Sequence, residues 1–190
     1  MGRFGHEDVR DRSIQALMNR HHVESSQAER VCATALALYQ QVASDWQIEG
    51  DEAADTLRWG GLLHEVGLAV SHSQFHKHGA YLVTNSDLPG FSRQEQQMVA
   101  LMVRGHRRKV PLAALAELPD DEQTGLLRLS LVLRLAVRLH HARSDEDVPE
   151  IRLQARGERL AITFPPGWLE EHPLTLSLIH ISEPTRRSTI

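Results

Sequence analysis

Three groups of side chains in this chain have the types and spacing to do chemistry. His64 and Glu65 stand side by side at the end of an apolar helical pattern. His72, His76, Lys77 and His78 follow within a few residues. Arg104, His106, Arg107, Arg108 and Lys109 then put five cationic or titratable groups into six positions. A histidine beside a carboxylate is a pair that can ligate a divalent metal. Clustered arginine, lysine and histidine instead suit a polyanion, because guanidinium forks oxyanions in a bidentate way and lysine and histidinium add point charges. The functional question is which chemistry the chain supports.

The basic run has a bland explanation in part. It falls where a helix ends, and cations are favoured at a helix C-terminus by the macrodipole. Its density exceeds what that role needs, since five such neighbours repel one another unless an anion is present. With His72, His76 and Lys77-His78 expected on one side of the preceding helix, phosphate binding is the stronger reading. Nucleic acid fits less well. Aromatics are 5% of the chain, none lies inside the basic run, and the net charge is −4.

That net charge hides an asymmetry. Acidic residues collect at Glu49–Asp55, Glu117–Glu122 and Asp145–Glu150, away from the basic run. An acidic average with one basic face points to an anionic ligand held locally. With 190 residues, 41% apolar and 24% charged, the chain can bury one real core and a small appended unit. No run approaches the ~18 apolar residues of a membrane span, and the polar N-terminus lacks a signal-peptide core. Cys32 is the single cysteine, so no intrachain disulfide can form. That suits a reducing cytoplasm, where a thiol among apolar helix residues is buried and inert.

The elements that position these groups are mostly helical. Asp8 to about Arg20 reads as a first helix. A second starts at Ser26, where Ser26-x-x-Glu29 spells a capping box, and carries the stripe Val31, Ala35, Leu38, Val42, Trp46. A third runs from about Asp51 through His64 to Val66, with Gly67 as its stop. A fourth is expected over His72–Thr84, and a fifth behind the capping box Ser92-x-x-Glu95, with Met98, Leu101 and Met102 inward. Val110–Asp121 reads as a connector and Leu126–His141 as a sixth helix. Ile151, Leu153 and Ala155, then Leu160, Ile162 and Phe164, alternate around Arg156-Gly157-Glu158, which is a β-hairpin pattern. The expected fold is mainly α, a helical bundle over 1–146, followed by the start of a small β-containing domain over 147–175. Leu176–Arg186, LSLIHISEPTR, resembles an in-frame translation of a transposase sequencing adapter, so 176–190 is set aside as non-native. The other end opens directly into helix-forming sequence, as if the chain began mid-protein.

His64-Glu65 resembles the His-Asp pair of HD-type phosphohydrolases. Those enzymes add a histidine on an early helix and an aspartate on a late one. Here Gln27 and Val137 stand at the corresponding positions. A neutral amide and a valine replace two ligands, and the longer Glu65 displaces its oxygens. The expectation is that no metal is held and that His64 is a buried histidine hydrogen-bonded to its neighbours.

A second resemblance is more extensive. LLHEVG, HSQFHKHGAYLVTNSDLPGFS, MVRGHRRKVP and FPPGWLEEHPLT, with the opening GRFGHEDVRDRS, resemble the C-terminal half of bacterial exopolyphosphatases of the Ppx/GppA family over Gly2–Thr175. The resemblance implies an HD-like helical domain without the HD metal site. It also implies two missing N-terminal actin/hexokinase-like domains that carry the hydrolytic chemistry with a glutamate and Mg²⁺. No cofactor is expected in this fragment, which alone is not expected to be catalytic. The implied role is a wall of the polyphosphate channel and a homodimer surface in a cytoplasmic enzyme, with possible peripheral membrane association. Apolar positions near Leu17, Trp59 and the hairpin are expected to meet the absent domains or a second subunit. The residues carried forward for phosphate contact are His72, His76, His78, Arg104, His106, Arg107 and Lys109. Relatives acting on guanosine pentaphosphate are the alternative, although the closing segment favours the exopolyphosphatase branch. An autonomous HD metal phosphohydrolase is the alternative outside that family.

Overall fold

Helical periodicity dominates the chain, and the computed structural model, which describes residues 4–141, 148–157 and 159–171, is mainly helical with one antiparallel hairpin. The elements are α1 (Phe4–Arg20), α2 (Ser25–Val42), α3 (Asp51–Leu63), a 3₁₀ turn (Val66–Ala69), α4 (Phe75–Asn85), α5 (Arg93–Gly105), α6 (Leu112–Leu115), α7 (Asp120–Leu139), β1 (Arg152–Arg156), β2 (Arg159–Thr163) and α8 (Trp168–Glu171). The expected 176–190 tail and the acidic stretch at 145–147 lie outside the described residues. Among those residues no helix is long and apolar enough to cross a membrane.

The stripe Val31, Ala35, Leu38, Val42, Trp46 is buried along its whole length. It packs with Leu57, Met102, Leu126, Leu129 and Leu133 from α3, α5 and α7. A second apolar cluster joins α1 to α3 and α5 through Ile14, Leu17, Met18, Trp59, Leu63, Val99 and Val103. Leu17 and Trp59, expected to face absent partners, are therefore core residues of this chain, at 2% and 1% exposure. Cys32 is buried, and that burial raises its thiol pKa.

The hairpin does not stand alone. Ile151, Leu153 and Ala155 join the core beside α2, with Leu153 opposite Ile162 and Ala155 opposite Leu160 in register. The Gln41 side chain acts as an extra strand, accepting from the Leu153 N–H at 2.8 Å and donating to the Ile151 carbonyl at 3.3 Å. Trp46 Nε1 donates to the carbonyl of Gly157, whose φ of +60° makes the turn. These bonds supply the partners that an isolated two-stranded ribbon lacks.

Local chemistry sets most boundaries. The Ser92–Glu95 capping box is formed: Ser92 Oγ accepts from the Glu95 N–H at 3.2 Å, and Glu95 Oε2 accepts from the Ser92 N–H at 2.7 Å. The Ser26-x-x-Glu29 box is not. Helix α2 starts one residue earlier, behind Glu24, so Ser26 lies inside the first turn and its hydroxyl donates to Glu24. Helix α7 begins at Asp120 rather than Leu126, because Asp120, Asp121 and Glu122 follow Pro119 and suit the positive end of the helix dipole. Helix α4 begins at Phe75 rather than His72, because Gln74 sits at φ 54° and ψ 29°, a left-handed conformation that breaks any helix entering from His72.

Gly67 does not merely stop α3. It lets the 3₁₀ turn lie directly on α4, since a Cβ there would sit 2.0 Å from the Phe75 carbonyl oxygen and 2.4 Å from the Gly79 nitrogen. Gly79 returns the contact from α4, where a Cβ would meet Val103 at 2.8 Å. This close approach seats α4 against the end of α5, where the cations are.

Candidate polyanion site

The basic run closes α5. Residues 93–105 form the helix, His106 is its C-cap, and Arg107–Lys109 are exposed on the turn beyond. Across from them, the bend at His72–Gln74 and the first turn of α4 complete the walls of a cavity of about 520 Å³. From α5 and its turn come Arg104, Arg107, Arg108 and Lys109. From the α4 side come His72, Ser73, Gln74, His76 and Lys77. Among the described residues, no ion pair is made by Lys77, Arg104, Arg107 or Arg108. Arg107 lies over the Phe75 ring, 5.1 Å from its centroid, which steers it without neutralising it.

Five of the seven residues carried forward from the sequence line this cavity: His72, His76, Arg104, Arg107 and Lys109. His78 and His106 do not. His78 is half-buried further along α4. His106 is turned inward at 2% exposure, and its Nδ1–H donates to the Val103 carbonyl at 2.6 Å, which leaves Nε2 buried without a partner. Burial first, then His64, holds its pKa well below the usual imidazole range. His76 does face the cavity, but burial and then Arg104, Arg107, Lys77 and Arg108 push its pKa down to about 4. These two rings are thus neutral at pH 6.5 and add no histidinium charge to the site there.

Sequence reading passed over Ser73 and Gln74, which reach the cavity only because the chain bends before α4. It also passed over Arg134. From α7 its Nη2 donates to the carbonyls of Gly105 at 2.7 Å and Arg108 at 2.8 Å. Those carbonyls end α5 and carry its negative dipole end, so Arg134 clamps the turn that presents the cations. The available signal was Arg134 and Arg138 at four-residue spacing within an otherwise apolar helix.

The positions that match the HD pattern are occupied differently. Gln27 is buried, its amide donating to the His140 carbonyl at 3.1 Å and accepting from Arg30 at 2.9 Å. His64 caps the C-terminal end of α3, its Nδ1–H donating to the Gly61 carbonyl at 2.6 Å. His106 makes the same i−3 bond at the end of α5, and the two rings meet edge-on at 5.4 Å. Glu65 Oε1 is 3.9 Å from His64 Nε2. Val137 packs against the helical core. Among the described residues, no three histidine, cysteine or carboxylate side chains are placed to hold a metal ion.

The fold and site together define a mainly helical domain with a hairpin at its end and a cationic cavity between two helices, where Lys77, Arg104, Arg107 and Arg108 make no ion pair among the described residues. Residues 9–181 match the family described as Ppx/GppA phosphatase, domain III, and the chain belongs to that phosphatase family.

Proposed function

We propose that this chain is the polyphosphate-binding C-terminal portion of an exopolyphosphatase, and that the cavity between α4 and α5 holds part of the phosphate chain. One observation carries the reading: Lys77, Arg104, Arg107 and Arg108 converge on one cavity with no carboxylate paired to them among the described residues. Neighbouring cations repel, so such a cluster favours an anionic occupant. A polyanion recovers that repulsion and adds charge-assisted hydrogen bonds. No phenylalanine, tyrosine or tryptophan lines the cavity among the described residues, so the reading favours an inorganic chain over guanosine pentaphosphate, whose base would have only imidazole or guanidinium faces to stack on. Hydrolysis itself, with a glutamate and Mg²⁺, belongs in this reading to domains outside the chain.

Titration calorimetry with long-chain polyphosphate tests the proposal. The parent chain should bind, and binding should weaken as salt rises, since exposed ion contacts are screened over ~8 Å at physiological ionic strength. Arg104→Gln/Arg107→Gln should lower affinity at least tenfold, the ~1.4 kcal/mol that one charge-assisted contact supplies. Arg10→Gln, on the other side of the core, should leave it nearly unchanged. Equal binding by the double variant and the parent at moderate salt would sink the reading.

A further inference from the structure

We infer that α7 carries the phosphate path beyond the cavity, with Arg138 as a further contact for a long phosphate chain. The inference rests on the cavity reading proposed above. The clamp from Arg134 fixes the geometry. By bonding the carbonyls of Gly105 and Arg108, it sets that face of α7 directly beneath the turn carrying Arg107 and Arg108. Arg138 lies one helical turn further along the same face.

Arg138 is half-buried, and its side chain has no hydrogen bond or ion pair among the described residues. Among the described residues the charges that act on it are cationic: Arg107 bears on Arg138, and Arg138 bears on Arg134. Burial first, and then Arg107, lower its pKa. The α7 macrodipole accounts for one cation in the last turn. It does not account for a partly desolvated guanidinium kept beside another with no carboxylate between them among the described residues. An oxyanion bridging Arg107 and Arg138 removes both costs. Arg107 also lines the cavity, so it links the two contacts. The ligand that uses both is a linear condensed phosphate with oxyanions repeating along its length. A short phosphate fills the cavity alone.

The test compares tripolyphosphate with long-chain polyphosphate on the 190-residue chain by calorimetry. Arg138→Gln should weaken the long chain about tenfold and leave tripolyphosphate within about twofold, whereas Arg104→Gln weakens both. The logarithmic salt slope for the long chain should fall by somewhat under one, the share of about one neutralised phosphate. Arg138→Met, which keeps the aliphatic stem, should behave like Arg138→Gln. If both Arg138 variants bind long chains as the parent does, with the same salt slope, the inference fails while the loss in Arg104→Gln keeps the cavity. If Arg138→Gln weakens both ligands equally, there is no extended path. If the parent binds neither ligand, cavity and extension fall together. Loss of far-UV helicity in both Arg138 variants would show a structural role and overturn the inference.

Discussion

Two regions of this molecule gather arginines, and they are opposite in electrostatic design. Around Trp59, Arg58 pairs with Asp11 at 2.8 Å and Asp55 at 3.3 Å, and Arg10 pairs with Glu95 at 2.8 Å. Both guanidiniums lie over the indole, 4.8 Å and 5.6 Å from the ring, and the indole N–H donates to Asp11. Burial works against the Arg58 charge, but Asp11 and Asp55 outweigh it and its pKa is raised. At the far end of α5, Arg104, Arg107 and Arg108 have aromatic or helical neighbours but no ion-paired carboxylate among the described residues. The first region is an interhelical joint. The second is a cluster of like charges, whose repulsion a polyanion would release in the function proposed above. Arginine count alone does not separate them, because the difference lies in what each guanidinium faces.

The sharpest way to break the comparison is to disturb the packing that creates the second region. Gly67→Ala places a methyl group against the backbone of α4, where no flexible side chain can yield. It should cost about 3 kcal/mol, the upper end for overpacking, and polyphosphate binding should be lost with it. Urea unfolding read by circular dichroism measures the first effect and calorimetry the second. A variant as stable as its parent would mean that the contact between the 3₁₀ turn and α4 relaxes freely.

One substitution type should then have opposite signs in the two regions. Arg58→Gln removes a paired, half-buried guanidinium from Trp59 and should destabilise by about 1 kcal/mol. Arg104→Gln or Arg108→Gln removes an unpaired cation and should stabilise the ligand-free chain by a few tenths of a kcal/mol at low salt, the size of a like-charge term between neighbours. Thermal melting of the three variants decides this. Destabilisation of similar size in all three would erase the distinction.

Acid should reach the second region first. His76 is held at about 4 against an ordinary 6.5, by burial and then by Arg104, Arg107, Lys77 and Arg108. Between those values the unfolded chain takes up a proton that folded His76 refuses. The stability is therefore fully present above ~6.5 and is lost as pH falls toward about 4. His76→Gln should flatten that part of the melting-temperature profile. A parallel profile would assign the acid sensitivity to other groups. Polyphosphate affinity should gain nothing from His76 or His106 near pH 6.5, because neither ring is charged there.

The smallest expected effect is that of simple salt. Raising sodium chloride should screen the repulsion around the cavity and lift the melting temperature slightly. Arg104→Gln/Arg107→Gln should show a weaker rise than the parent. An equal rise in both would place the repulsion elsewhere.

Several elements were legible because their signals are local. The Ser92–Glu95 box needs only two residues three apart, the α2 stripe only a helical period, and the hairpin only alternation about Gly157. Each signal is spelled within a few residues of sequence. The Ser26 box failed although its residues are present, because Glu24, two residues earlier, took the N-cap position and left Ser26 inside the first turn. His72 left the fourth helix because Gln74 adopts a left-handed conformation that its residue type does not announce. His106 belongs to the basic run in sequence, but α5 ends there and its ring points into the core. Leu17 and Trp59 turned out to be core because α1 folds over α3.

By itself the sequence determined the density of cations over 104–109 and the helical class with its terminal hairpin. Both follow from residue identity and short-range spacing. Only the tertiary structure decided which cations find carboxylates. Asp11 reaches Arg58 across 47 residues and Glu95 reaches Arg10 across 85, whereas Arg134 arrives beneath Arg108 to bond its backbone and not its charge. Charge compensation depends on distance in space, and helix periodicity sets which face a residue occupies without naming the element that will oppose it.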